Sequence, residues 1–479
     1  MRLGLEDTIA AISTPLGEGG IGIVRVTGPE ALAVAGKIFR GRGRSLEKTP
    51  GYRVRYGFVI DPESGERLDE VLAVVLRAPH SFTREDTVEF NCHGGPLPTR
   101  QVLAAALRAG ARLAEPGEFT RRAFLNGRLD LAQAEATLDL IRAQTERGAR
   151  AALGQLAGRL SEKIRSLSER LLRLLASVEV GIDFPEDDVE EATRSTIDEE
   201  AGGLLAEIQD LLARSWEGKI LREGLRTAIV GLPNVGKSSL LNALLKEERA
   251  IVTAIPGTTR DVLEERINVR GIPVVIMDTA GLRESEDLVE QLGVARTREA
   301  LRRAELILLV LDDSAGLRQE EREILREIGH RPVVVFINKI DLGGGRVDPG
   351  EVAQALEEVF FEKEVTGGRA KKKYGVVQGS ARLGQGLEDL EAAVERVVLA
   401  GGVSAVGEEP LVTSVRHVGA LERAAASLRE VRAGVRDGLP YELLAVDLRE
   451  AWEALGEVTG ETAAEGIIDE IFARFCVGK

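Results

Sequence analysis

Residues 231–239 read Gly-Leu-Pro-Asn-Val-Gly-Lys-Ser-Ser. Gly231, Gly236, Lys237 and Ser238 fit the spacing G-x-x-x-x-G-K-[ST]. An apolar run precedes the motif and a helical pattern follows it, which is the context the motif needs. Glycines let successive backbone N–H groups wrap a phosphate, and the following helix N-terminus adds positive potential. Lys237 places a point charge on β and γ phosphates, and Ser238 offers a hydroxyl to magnesium. Asp278-Thr279-Ala280-Gly281 closes the next long strand. Its carboxylate suits a water-bridged magnesium, and Gly281 lets a backbone N–H approach a γ-phosphate. Between these two segments lies Thr253-Ala254-Ile255-Pro256-Gly257-Thr258-Thr259-Arg260-Asp261. Such a Thr-rich loop is either a surface turn or the source of a second magnesium hydroxyl. Thr259 is the first choice for that hydroxyl and Thr258 the alternative.

Asn338-Lys339-Ile340-Asp341 ends a later strand and resembles the N-K-x-D guanine-specificity motif. A carboxylate at Asp341 can accept both N–H groups on one edge of guanine, an edge adenine lacks. Ser380-Ala381-Arg382 follows another strand and resembles the last guanine-contact motif. With Asn234, Val235, Gly236, Lys237, Ser238 and Ser239 on the phosphate side, the order of segments predicts a P-loop GTPase rather than an ATPase. The residue after Gly281 is Leu282, where Ras-type GTPases carry a water-positioning Gln. Glu284, Glu286, Asp287 and Glu290 follow; they are a solvated acidic run or contain the group that orients water. No arginine finger is evident. A monovalent cation near the phosphates would supply similar electrostatics, with Asn234 as an oxygen ligand.

These segments need a sheet whose strand ends meet at one edge. Arg226–Val230, Pro273–Met277, Leu306–Leu311, Pro332–Ile337 and Val376–Gln378 are nearly continuous apolar runs with helical patterns between them, as in a doubly wound parallel sheet. Residues 222–398 are therefore expected to form an inserted Ras-like α/β domain. Residues 1–118 read as α+β, with strands at Thr8–Ser13, Ile21–Val26, Val54–Ile60, Val71–Leu76 and Thr87–Cys92. Helices are expected at Pro29–Phe39 and Leu97–Arg108, each opened by a proline. Residues 119–221 and 399–479 show helical spacing throughout. Leu160, Ile164, Leu167, Leu171, Leu174 and Leu175 form one stripe, and Gly181–Pro185 breaks it. Further helices are expected at Leu421–Val431, Tyr441–Val458 and Ile467–Phe475. The whole is a multidomain α/β chain with a discontinuous helical domain.

The 479 residues carry a net charge of -15, so any nucleic-acid contact must use a local basic patch such as Arg369–Tyr374. That run also reads as a solvated loop. Two cysteines make neither a disulfide framework nor a zinc site. No membrane span and no signal pattern is evident, so a reducing cytoplasm is the expected compartment.

Leu125–Ala136 (Leu-Asn-Gly-Arg-Leu-Asp-Leu-Ala-Gln-Ala-Glu-Ala), the P-loop with Asn234, Gly257–Asp261, Asp278–Arg283 and the terminal Phe-Cys-Val-Gly-Lys at 475–479 resemble the MnmE (TrmE) family of tRNA-modification GTPases. The likeness runs from Asp7 to the last residue. The Leu125–Ala136 run and the Cys-x-Gly-Lys tail are particular to that family, whereas many GTPases share the nucleotide motifs. Leu232 and Val477 are small departures that change no chemical group. The resemblance implies a homodimer joined by N-terminal domains that bind formyl-tetrahydrofolate. It implies an FAD-dependent partner of the MnmG (GidA) family, and together an aminomethyl-type modification at C5 of the wobble uridine in certain tRNAs. GTP, Mg2+ and K+ are implied as ligands, with potassium promoting dimerisation of the nucleotide domains. Asn234, Thr253, Ile255 and Thr258 match the potassium positions. Ser238 and Thr259 match the magnesium hydroxyls, Glu290 the water-orienting glutamate, and Arg25, Glu89, Arg128 and Lys479 the folate contacts.

The residues themselves give the folate site more modest support. Arg25 interrupts an apolar strand, and a guanidinium there needs an anion or strong acceptors. Alternation puts Glu89, Asn91 and His93 on one face, suited to paired hydrogen bonds with a pterin. A structural Arg25–Glu89 ion pair and a turn role for His93 are the plainer readings. Cys476 is either a reactive thiol or a packed small hydrophobe at a helix end. A regulatory GTPase of the Era or EngA kind is the competing function. A scaffold retaining only the nucleotide fold fits poorly with Lys237, Ser238, Thr259, Asp278 and Asp341 all present.

Overall fold

Alternating burial builds the first sheet of the computed structural model, which describes residues 6–43, 45–183, 194–246, 265–277, 301–329, 331–361, 373–398 and 409–478. The candidate positions Thr253–Thr259, Asp278–Gly281, Glu284–Glu290, Arg369–Lys372 and Lys479 lie outside the described residues. Contacts divide the chain into two compact units: residues 1–138, 156–197 and 433–479, and residues 139–155 with 198–432. The helical residues are thus shared between both.

The first unit contains β1 (Ile9–Ile12), β2 (Ile21–Thr27), β3 (Phe39–Gly41), β4 (Arg53–Ile60), β5 (Arg67–Leu76), β6 (Thr87–His93) and β7 (Arg112–Leu113). They pair in the order β3-β4-β5-β6-β2-β1-β7. Val24, Val26, Val71, Ala73, Val75, Val88 and Phe90 take alternate positions and are buried with residues of helices Ala31–Ile38 and Pro96–Arg108. The first helix starts at Ala31 instead of Pro29. The Thr8 hydroxyl takes the Glu30 N–H at 2.9 Å, and Ala31 N–H closes a turn onto Gly28 at 3.1 Å. Strands β3 and β7 were not expected, because two or three residues carry no readable period.

The leucine stripe lies on helix Arg159–Asp183, and all six of its residues are buried. Helix Tyr441–Thr459 packs beside it and buries Leu444, Leu448 and Leu455. Truncating a fully buried residue such as Leu167 to Ala costs about 2–5 kcal/mol. After helix Glu465–Ala473 the tail returns to the sheet domain. Val477 bridges Pro116, and Gly478, at φ +96°, lies so close to β1 that a Cβ would stand 2.2 Å from the Ile12 carbonyl.

The second unit holds β8 (Leu225–Val230), β9 (Glu265–Val269), β10 (Ile272–Ile276), β11 (Leu306–Asp312), β12 (Val333–Asn338) and β13 (Tyr374–Gln378), in the order β13-β12-β11-β8-β10-β9. All pairs are parallel except β9 with β10. The five expected strands appear within two residues of their predicted bounds. β9 was missed because Glu265, Arg266 and Asn268 make it polar; it is the antiparallel arm of a tight hairpin through Arg270 and Gly271, both at positive φ. Helices cover both faces of the sheet, over one core containing Leu240, Leu308, Phe336 and Leu390 and another containing Ile307, Leu325, Val335 and Leu356. Parallel pairing aligns the C-terminal ends of β8, β11, β12 and β13, where such folds bind ligands.

Candidate functional site

Four of those strand ends converge. After β8 the chain turns through Gly231 (φ +151°), Asn234 (φ +60°) and Gly236 (φ +101°) and enters helix Lys237–Lys246. Three positive-φ residues within six positions curl the backbone in the way an anion-binding nest requires. Gly236 is sterically obligatory: a Cβ there would meet Asn338 Nδ2 at 2.2 Å.

Lys237 Nζ donates to the carbonyls of Gly231 at 2.9 Å and Leu232 at 2.8 Å. Burial holds its pKa below the ordinary 10.5, and no carboxylate among the described residues offsets that effect. A half-buried ammonium resting only on neutral carbonyls beside an N–H nest is a site short of negative charge. Polyphosphate fits it. Ser238 and Ser239 are exposed at the first turn of the helix, where hydroxyls reach a phosphate-bound magnesium. Among the described residues no cluster of three or more His, Cys, Asp or Glu side chains forms an all-protein metal cage.

The base-side loop is cross-braced. Asn338, buried at the end of β12, donates from Nδ2 to the Val235 carbonyl at 2.8 Å, and its Oδ1 accepts the Ala381 N–H at 2.9 Å. One amide thereby ties together the phosphate loop, the Asn338–Asp341 loop and the Ser380–Arg382 loop. Lys339, left-handed at φ +70°, donates to the Asn234 carbonyl and to Asp312 Oδ2, both at 2.6 Å. Asp341 stands exposed on a short 3-10 turn with its carboxylate available. Ser380 is buried, its Oγ accepting from Leu383 N–H at 3.3 Å. Asn234, Val235, Gly236, Lys237, Ser238, Asn338, Lys339, Asp341, Ser380, Ala381 and Arg382 thus share one strand-end edge. Asp312 was not singled out from sequence. An Asp-Asp pair directly after an apolar strand is the signal that would have found it.

In the other unit, Arg25 and Glu89 face each other across β2 and β6, with Nε to Oε1 at 2.8 Å. The guanidinium of Arg25 also lies over the rings of Phe82 at 5.8 Å and Phe119 at 5.5 Å. Arg128 lies over Phe82 at 4.7 Å and donates to its carbonyl at 3.0 Å. Burial lowers the Arg128 pKa, and the nearby Arg84 and Arg25 charges press it further down. Glu89 pairs with Arg25 alone among the described contacts, so the positive charges of Arg84 and Arg128 beside it are left in excess. An aromatic plate, a carboxylate and excess positive charge fit a planar heterocycle with an anionic tail. Phe82 was overlooked in the sequence; a lone aromatic in the polar loop between β5 and β6 was its only signal.

His93 ends β6, with Nδ1 2.6 Å from Asp69, whose hydrogen bond raises its pKa. Cys92 is buried, its thiol bonded to the Gly22 carbonyl at 3.1 Å and pushed up to about 11 by burial, which leaves it inert. Cys476 is exposed, which corrects its reading as a packed hydrophobe. The helix stops at Ala473, and the Gly117 N–H to Cys476 carbonyl bond holds the tail by its backbone instead.

A family model described as the MnmE helical domain matches residues 131–476, and one described as the GTP-binding protein TrmE N-terminus matches residues 8–128. The tRNA modification GTPase MnmE of Geobacillus kaustophilus is 50% identical over 475 residues, 99% of both chains. The proteins of the same name from Desulforamulus reducens and Bacillus subtilis are each 48% identical, over 99% of this chain and 100% of theirs.

Proposed function

The chain belongs to the MnmE family of tRNA modification GTPases, and from that premise we propose that its GTP hydrolysis drives a conformational step in wobble-uridine modification. With an FAD-dependent partner of the MnmG (GidA) family, the complex adds an aminomethyl or carboxymethylaminomethyl group at C5 of that base in certain tRNAs. The carrying observation is Lys237, half-buried and without a counter-anion among the described residues, at the mouth of the Gly231–Gly236 loop. Supplying the γ-phosphate there replaces two neutral acceptors by a charged one.

Lys237 holds the β and γ phosphates, and Asp341 reads the guanine edge. Ser238 and Thr259 supply hydroxyls to magnesium. Asn234, Thr253, Ile255 and Thr258 form the potassium site, and Glu290 orients the attacking water. Bound magnesium and potassium would neutralise charge that develops on the phosphates. Arg25, Glu89, Arg128 and Lys479 form the reduced-folate site. The clustering of Arg25 and Arg128 on the Phe82 ring supports that assignment and favours this reading over an Era- or EngA-like regulatory one.

The domains are residues 1–118, a helical domain of 119–221 with 399–479, and the nucleotide domain 222–398. A homodimer joined by the N-terminal domains is supported by Val54, Tyr56 and Leu72, 46–57% exposed on adjacent strands with Tyr56 opposite Leu72. The compartment is the cytoplasm. No helix among the described residues is long and apolar enough to cross a membrane.

The test is reconstitution of the full chain with an FAD partner, substrate tRNA, a reduced folate and GTP, scored for new uridine modification. Modification should appear with GTP and vanish when it is omitted. Modification that proceeds equally without GTP refutes the proposed coupling. Absence of heat on titrating GDP with magnesium refutes the nucleotide site itself.

A further inference from the structure

Two adjacent carboxylates at the end of β11 brace different loops. Asp313 is buried and accepts the N–H groups of Gly345 at 3.1 Å and Val347 at 3.3 Å. It thereby holds the segment that follows Asp341. Asp312 looks the other way. Its Oδ1 accepts the Ser314 N–H at 3.0 Å and the Ser314 hydroxyl at 2.6 Å, and its Oδ2 accepts Lys339 Nζ at 2.6 Å. The same ammonium donates to the Asn234 carbonyl at 2.6 Å. Burial would raise the Asp312 pKa, but the bonds from Lys339 and Ser314 hold it below the ordinary carboxylate value.

Lys339 and Asn234 face each other in left-handed conformations, φ +70° and +60°. Neither is glycine, so each backbone needs outside support. Lys339 gives that support to Asn234 through one N–H···O bond. A neutral carbonyl is a poor match for an ammonium that has lost most of its water, and the Lys339 side chain is 28% exposed. The anion that keeps the ammonium in place is Asp312.

We propose that Asp312 is a positioning residue. By anchoring Lys339, it holds the Asn234 turn of the phosphate loop in register with the guanine-reading loop. The inference rests on reading this edge as a guanine-nucleotide site. It adds that phosphate-side geometry depends on a carboxylate which touches neither base nor phosphate.

The experiment measures equilibrium binding of fluorescent GDP and XDP to the full chain, using Asp312→Asn, Lys339→Ala and the double variant. Asp312→Asn is isosteric and keeps an acceptor for Ser314, so it folds like wild type. It should weaken GDP about tenfold, as expected for losing a charge-assisted hydrogen bond. The GDP-to-XDP preference, set by Asp341, should stay within twofold of wild type. A generally misfolded loop would erode that preference as well. On the Lys339→Ala background, Asp312→Asn should change GDP affinity less than twofold, since its route of action is already gone. Wild-type GDP affinity in the single variant overturns the proposal. So does a full tenfold loss on the Lys339→Ala background, or a collapsed GDP-to-XDP preference. A wild-type chain that binds no GDP overturns the nucleotide-site reading itself, an outcome distinct from the other three.

Discussion

Adding one methyl group at Gly236 tests the cross-braced edge while removing no polar side chain of the site. A Cβ at this position would stand 2.2 Å from Asn338 Nδ2, well inside van der Waals contact. Asn338 has nowhere to go: it is buried, donates to Val235 O and accepts from Ala381 N–H. Relieving the clash means breaking one or both bonds or moving the phosphate loop away. Each lost bond costs about 1 kcal/mol. The backbone at φ +101° adds about 1–3 kcal/mol of strain for a residue with a Cβ. The sum, about 2–5 kcal/mol, corresponds to about thirtyfold or more in affinity when loop displacement absorbs it. Gly236→Ala should therefore weaken GDP at least about thirtyfold in a fluorescence titration. Gly344→Ala is the control, because its Cβ would find Ser314 Cα at 3.6 Å, an ordinary contact. GDP affinity within threefold of wild type for Gly236→Ala, with an unchanged melting midpoint, would refute the claim that Asn338 fixes the phosphate loop.

Other consequences are equally direct. Lys237→Met should abolish GDP binding yet leave the nucleotide-free melting midpoint at or above wild type, because the lysine pKa is lowered on folding. The unfolded chain then binds that proton more tightly, so nucleotide-free wild type should gain stability as pH rises toward 10.5, and the variant should lose that slope; a lowered midpoint in calorimetry would contradict this. Asp341→Asn should reduce the GTP-over-XTP preference at least tenfold in competition binding, and an unchanged ratio would remove Asp341 from base reading. GTP hydrolysis should run several-fold faster in potassium than in sodium at equal ionic strength, and equal rates would take the cation role from Asn234. Arg25→Ala should weaken reduced-folate binding about tenfold by calorimetry; retained affinity would leave Arg25–Glu89 a purely structural pair.

The difference between what the sequence disclosed and what it concealed follows from where information sits along a chain. The strands of the nucleotide unit were legible because residues such as Val333–Ile337 are apolar at every position, which a sheet covered on both faces demands. The loops were legible because Gly231, Gly236 and Lys237 carry their chemistry within seven residues. β9 and β3 were not, one because its outward positions are charged, the other because three residues show no period. The contacts around Phe82 depend on β2 lying beside β6 and on the β5–β6 loop reaching Arg25, residues separated by more than fifty positions. The Asp312–Lys339–Asn234 chain is hidden for a related reason. Spacing shows that each residue ends a strand, but only the order β12-β11-β8 makes the three ends neighbours, with Asp312 opposite Asn338. A parallel sheet lines up its strand ends whatever their distance in sequence, so side chains that brace neighbouring loops come from strands adjacent in space. Residues that meet the ligand can therefore be read from local motifs, while those that hold the motifs together can be read only once strand order is known.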